Sequence, residues 1–126
     1  MIPYTDTHCH LDFERFQKDR EEVINRAKKA GLLWILNPGI DPETNQAAIE
    51  LANRYPDFMS AAVGIHPNYG KPWTQAILDS LKNQAQSKNV VAIGEIGLDY
   101  YRQHTPISQQ QLMFKEQLAP SAELSL

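Results

Sequence analysis

Two histidines separated by one residue, His8 and His10, lie in the stretch Thr5-Asp6-Thr7-His8-Cys9-His10-Leu11-Asp12. Side chains on a strand alternate between faces with period two, so both imidazoles project from one side. Such a pair can hold a divalent ion, and it can equally be two hydrogen-bonding groups near a strand end. Asp6 and Asp12 flank the pair, and carboxylates beside ligating histidines fix their tautomer, which tilts the reading toward metal. Cys9, the single cysteine, points to the opposite face by the same alternation and reads as a small buried hydrophobe.

The remaining residues of chemical interest lie further along. Glu95 stands between Gly94 and Gly97 in Gly94-Glu95-Ile96-Gly97-Leu98-Asp99, where glycines let the backbone turn sharply or approach a ligand closely. With two imidazoles it completes an N,N,O set that Zn, Mn, Fe and similar ions accept. A divalent ion held this way activates water near neutral pH, so the reaction class is hydrolysis. His66, in Gly64-Ile65-His66-Pro67, fits a substrate contact, a proton donor, a further ligand or a hydrogen-bonded loop histidine. Arg102 fits a fork onto phosphate or carboxylate, or a surface ion pair. Asp99 fits an orienting group or a turn cap, and Tyr100 and Tyr101 read as packing residues with a polar tip rather than as stacking surfaces.

These residues need elements to position them. Residues 2–7 read as a strand, and residues 13–30 as a helix with Phe16, Val23, Ile24 and Ala27 on its apolar stripe and Gly31 as its cap. Residues 32–36 form a continuous apolar run, the mark of a strand covered on both faces, which stops at the loop signal Asn37-Pro38-Gly39. Asp41 and Pro42 then start a helix with Ala48, Leu51, Ala52 and Tyr55 on one face, ended by Pro56. Residues 58–65 read as a third strand. A third helix begins around Pro72 with Trp73, Ile77, Leu78, Leu81 and Ala85 facing inward, and residues 90–93 are a fourth buried strand. A fourth helix from Pro106 puts Ile107, Phe114 and Leu118 inside and Gln109, Gln110 and Gln111 outside, with Pro120 expected to kink or end it.

Strict alternation of strands and helices means an α/β protein with a parallel sheet, and in such proteins chemistry collects at the carboxyl ends of the strands. His8, His10, His66 and Glu95 all fall there. No Gly-x-Gly-x-x-Gly follows the first strand, which removes the main support for a dinucleotide-binding open sheet. The alternative, a (β/α) barrel, needs eight strands and typically about 250 residues. The 126 residues here hold about four of eight units, so the expectation is one partial barrel domain, 1–126, truncated before a fifth strand. A net charge of -3 argues against a broad basic footprint for nucleic acid, leaving cations and local Arg or Lys to meet any phosphate. No secretory n-region, apolar h-region or membrane-length run is present, so the expected address is cytoplasmic, with no membrane partner.

The three motifs Thr5-Asp6-Thr7-His8-Cys9-His10-Leu11-Asp12, Gly64-Ile65-His66-Pro67 and Gly94-Glu95-Ile96-Gly97-Leu98-Asp99-Tyr100-Tyr101 together resemble the TatD-related deoxyribonucleases, metal-dependent hydrolases of TIM-barrel type. The resemblance covers nearly the whole chain. It implies a phosphodiesterase acting on DNA with two divalent ions per complete site, whether Mg, Mn or Zn. It further implies that the residues matching His8 and His10 bind one ion, that Glu95 bridges both, and that His66 and Arg102 lie near substrate. Members of that family continue into two more histidine ligands and a late aspartate. No catalytic acid or base is therefore assigned here, and the fragment is expected to be inactive or weakly active. Open half-barrel edges would favour self-association. Two other readings stay open: a His-x-His hydrolase of the amidohydrolase type, against which the Gly94 to Tyr101 motif argues, and a non-catalytic half-barrel module.

Overall fold

The apolar runs become strands and the amphipathic stretches between them become helices, in strict alternation. The computed structural model describes residues 2–126. Strands β1 (Tyr4–Asp6), β2 (Leu32–Pro38), β3 (Met59–Val63) and β4 (Val90–Ile93) form one sheet in the order β1-β2-β3-β4, every neighbouring pair parallel. Helices α1 (Arg20–Lys29), α2 (Pro42–Arg54), α3 (Gln75–Ala85) and α4 (Ile107–Leu124) follow the four strands, with a short 3-10 turn at Glu14–Phe16 ahead of α1. Parallel neighbours require a crossover between them, and α1, α2 and α3 supply the three, while α4 follows β4.

Two apolar clusters fill the space between sheet and helices. One joins Ala48, Ile49 and Ala52 of α2 to Ala61 and Val63 of β3, Leu81 and Ala85 of α3 and Val90 of β4. The other joins Leu11, Ile24 of α1, Ile35 of β2, Leu51 of α2, Phe58 and Met59. Cys9 packs against this second cluster, as its alternation predicts, and its thiol is pushed up by burial and by the charge of Asp6.

Local chemistry sets the helix ends. Asp41 Oδ1 accepts from Thr44 N at 2.8 Å and Thr44 Oγ1 accepts from Asp41 N at 3.0 Å, a reciprocal cap with Pro42 in the first turn of α2. Gly31 closes α1 at φ 95°, a left-handed conformation suited to glycine. The third helix starts at Gln75 rather than near Pro72, because Thr74 is its cap; Trp73 therefore lies outside it, donating from Nε1 to Glu116 Oε2 on α4 at 2.5 Å.

Three sequence expectations need correction. The strands are not covered on both faces throughout: Leu33 is 58% and Val91 45% exposed. Each is skipped by the ladder, which steps from Leu32 to Trp34 against β1 and from Val90 to Ala92 against β3. An extra residue of this kind bends the strand and re-aims its side chain. Second, Asn37 and Pro38 are strand rather than loop, both buried, with Asn37 in register with Ala61 and Pro38 with Ala62. Third, α4 turns a different face inward: Gln110, Met113, Gln117 and Pro120 are buried, while Leu118 is 47% exposed and Ile107 is exposed. The helix also runs through Pro120 to Leu124; burial of the proline ring accompanies the loss of one backbone donor.

Candidate metal centre

The backbone leaves β1 at Asp6 but stays tied to the sheet, since Cys9 N donates to Leu36 O at 3.1 Å. His8 and His10 lie just beyond the strand and still share a side, with their Nε2 atoms 3.1 Å apart. Glu95, two residues past the end of β4, places Oε2 3.1 Å from His10 Nε2 and 3.5 Å from His8 Nε2. The ligand atoms of these three residues all lie within 4.8 Å of one another. The sequence-predicted metal set is thus brought together from the two outer strands of the sheet.

These spacings suit a single ion. With bonds of about 2.1 Å, ligand atoms around a tetrahedral or octahedral centre stand roughly 3.0–3.4 Å apart. The donor set, two imidazole nitrogens and a carboxylate oxygen, is one that divalent ions accept. His10 is braced by one ring and faced by one carboxylate. The Phe13 ring stacks on it at 4.5 Å between centroids, 17° from parallel, and Asp12 Oδ1 lies 3.9 Å from its Nδ1. His10 Nδ1 and Asp12 Oδ2 are buried with no hydrogen-bond partner among the described residues. Asp6 has a different job from the one its position suggests: its Oδ1 accepts from the backbone N of His8 at 3.0 Å, so it holds the chain rather than an imidazole.

Two features that sequence reading misses hold the set in place. Asn37 Oδ1 accepts from Leu11 N at 2.7 Å and from Asp12 N at 3.3 Å, while its Nδ2 donates to Asp12 Oδ1 at 2.7 Å. The signal was available, a single asparagine continuing an apolar run, but the following Pro-Gly makes it look like a turn. The second feature is Gly64. A Cβ there would stand 2.7 Å from the Gly94 carbonyl carbon and 2.9 Å from Glu95 O, so only glycine lets β3 approach the Glu95 backbone this closely. Gly94 itself has ordinary space around it, so within the fold it is Gly64 that is required for close backbone packing. Gly94 N donates to Val63 O and Glu95 N to Gly39 O, each at 2.9 Å.

His66 shares a hollow of about 460 Å³ with Glu95, Asp99, Tyr100 and Tyr101. Its Nδ1 accepts from Asn68 N at 3.0 Å, which leaves Nε2 for any proton the neutral ring carries. Arg102 lies just past this wall and pairs with Asp99 Oδ2 at 2.8 Å. Asp99 is a turn cap: Oδ1 accepts from Tyr101 N at 3.1 Å and Arg102 N at 2.9 Å, and Oδ2 also accepts from Asn68 Nδ2 at 2.7 Å. The Arg102 backbone N–H, then its guanidinium, then Asn68 hold the Asp99 carboxyl well below the usual carboxylate range. Tyr101 does not pack as expected, because it is 92% exposed.

The chain is 40% identical over 121 residues to a protein named 3'-5' ssDNA/RNA exonuclease TatD from Yersinia pseudotuberculosis, covering 96% of this chain and 46% of the relative. A protein of the same name from Pectobacterium carotovorum is 39% identical over the same lengths. The chain therefore spans about half the length of the curated relatives it matches. Among solved structures, a TatD homolog from Escherichia coli K12 superposes with a TM-score of 0.87 at 33% identity, covering 98% of this chain and 48% of that one. A TatD family hydrolase from Entamoeba histolytica, 24% identical, shares the fold with a TM-score of 0.88 over 98% of this chain and 47% of its own. The expected α/β architecture of TIM-barrel type, present as four units, is what these neighbours share. The family model for TatD related DNases matches residues 5–126, and the chain belongs to that family.

Proposed function

We propose that this chain carries the ion-binding part of a metal-dependent hydrolase that cleaves phosphodiester bonds in DNA, with His8, His10 and Glu95 as ligands. The observation that carries this reading is the convergence of three ligand atoms, 3.1–3.5 Å apart, from opposite edges of the sheet in a TatD-related chain. A bound divalent ion would polarise the phosphate and activate water. In the complete site the family resemblance implies two ions, with Glu95 shared between them.

The residues of this chain do the positioning. An imidazole that offers Nε2 to a cation carries its proton on Nδ1, and for His10 the Asp12 carboxylate is on that side. Phe13 stacked on the ring restricts its rotation. His66, with Nδ1 committed to Asn68, would donate from Nε2 to a phosphate oxygen in the hollow it shares with Glu95. Arg102 keeps guanidinium N–H groups beyond the one given to Asp99, and these would meet a neighbouring phosphate. Because the relatives are about twice as long, we assign full activity to a complete barrel and only part of it to these four units. The ladder edges at β1 and β4 would also pair with a second copy of the chain.

Titration of the 126-residue chain with Mn²⁺ by calorimetry tests the ligand assignment. Wild type is expected to bind the ion, and His8→Ala, His10→Ala and Glu95→Gln should each weaken binding by at least tenfold while circular dichroism stays unchanged. Wild type without ion affinity, or variants that bind as tightly, would overturn it. A labelled single-stranded oligonucleotide incubated with and without EDTA then reads whether cleavage depends on the same ion.

A further inference from the structure

The wall of the hollow beyond Glu95 is made of an unusual surface. Leu98, Tyr100 and Tyr101 are all exposed, Tyr101 almost completely. Exposed aromatic rings on mobile loops are unremarkable, but this loop is pinned at each step. Gln110, buried in α4, accepts from Asp99 N at 2.8 Å and donates to Asp99 O at 3.1 Å and Thr105 O at 2.8 Å. Asp99 in turn holds the backbone N–H of Tyr101 and Arg102. Gln103 Nε2 donates to Tyr100 O at 2.6 Å, and Gln111 Nε2 donates to the Tyr100 hydroxyl at 3.0 Å. A buried side chain thus fixes the backbone on either side of the two tyrosines. A backbone held this way, with the Tyr100 hydroxyl tied as well, loses little freedom when something lies against the rings it carries, which favours a stacking surface.

We propose that Tyr101, with Tyr100 beside it, is a stacking platform for an unpaired nucleobase, and so a determinant of single-strand over duplex binding. The inference rests on the phosphodiesterase reading above. The same hollow contains Glu95, so a ligand filling it has an anionic group for the ion-binding end and a flat apolar group for the tyrosines. A nucleic-acid strand has both, with its bases accessible only where they are unstacked from a partner strand. Tyr101 lies six positions after Glu95, at most about 20 Å of fully extended chain, a span that a handful of nucleotides covers. The acidic balance of the chain is no obstacle, because stacking needs no basic patch.

The probe is a short fluorescent oligothymidylate with hydrolysis-resistant phosphorothioate linkages, followed by anisotropy with Mn²⁺ present. A matched abasic strand and the matched duplex serve as comparisons. Tyr101→Ala should weaken binding of the oligothymidylate by about tenfold, Tyr101→Phe should retain it, and the abasic strand should bind wild type and Tyr101→Ala alike. If the wild-type chain binds the oligothymidylate but Tyr101→Ala binds it equally well, the platform is wrong and the phosphodiesterase reading stands; that outcome also fits a tyrosine face covered by a protein partner. If the wild-type chain binds no strand at all, the platform falls, and Mn²⁺ binding by the same chain decides separately whether the ligand assignment stands.

Discussion

Asn37 ends the apolar run of β2, and both polar atoms of its amide are committed to the segment that carries His10. The site is thus set by an asparagine that touches none of the ligand atoms. Asp99 shows the same logic on the other wall, where one carboxylate caps a turn, pairs with Arg102 and binds Asn68. Because the carboxyl is held below its ordinary value, its contribution to stability is present in full above about pH 4 and is lost as pH falls through the lower folded-state value. Asp99→Asn should therefore be less stable than wild type at neutral pH, with the gap narrowing as acid is approached. Urea denaturation across that range checks it, and a gap that widens toward acid would show that the sign is wrong.

At the level of elements, α4 separates what hydrophobic pattern can and cannot show. Apolar spacing places Ile107, Phe114 and Leu118 inward, yet the buried stripe is Gln110, Met113, Gln117 and Pro120. The reason is hydrogen bonding: Gln117 accepts from Ile65 N at 2.7 Å and donates to Ile65 O at 3.1 Å, satisfying buried backbone just past β3. Gln117→Leu should destabilise the chain by about 2–4 kcal/mol by leaving two buried groups unpaired, whereas Leu118→Gln should change stability by less than about 0.5 kcal/mol. Chemical denaturation of the two variants distinguishes a polar from an apolar inner face. Gly64→Ala belongs to the same scale, since its Cβ would press on the Gly94 carbonyl carbon. A cost of about 1–3 kcal/mol is expected, with weaker Mn²⁺ binding because Glu95 must move. The strand and helix order, the cap of α2 and the shared side of His8 and His10 were legible in the sequence, because alternation, Asp41-Pro42 and His-x-His act through neighbouring residues. The inner face of α4, the skipped Leu33 and Val91 and the roles of Asn37 and Gly64 were not, because each is fixed by a partner distant in sequence.

Over the whole molecule, the three residues proposed as ligands follow the first and fourth strands of the sheet. Three strand spacings of about 4.8 Å would set β1 and β4 roughly 14 Å apart in a flat sheet, a gap that the side chains of His10 and Glu95, standing on the segments just past the two strands, close to 3.1 Å. An ion bound there would tie the two outer strands together. Mn²⁺ at one hundred times its dissociation constant should stabilise the fold by about 2.7 kcal/mol, a gain that EDTA or His10→Ala removes in a thermal melt. The strand order has a further consequence, for the time course of folding. Each strand pairs with the one made just before it, so every new strand-helix unit has its template already present as the chain leaves the ribosome. Most sheet contacts are then closed over one unit at a time, which keeps the entropy of loop closure modest. The proposed ion site is the exception: His8 and His10 emerge early and wait for Glu95, so ion binding would report the arrival of β4 rather than the beginning of assembly.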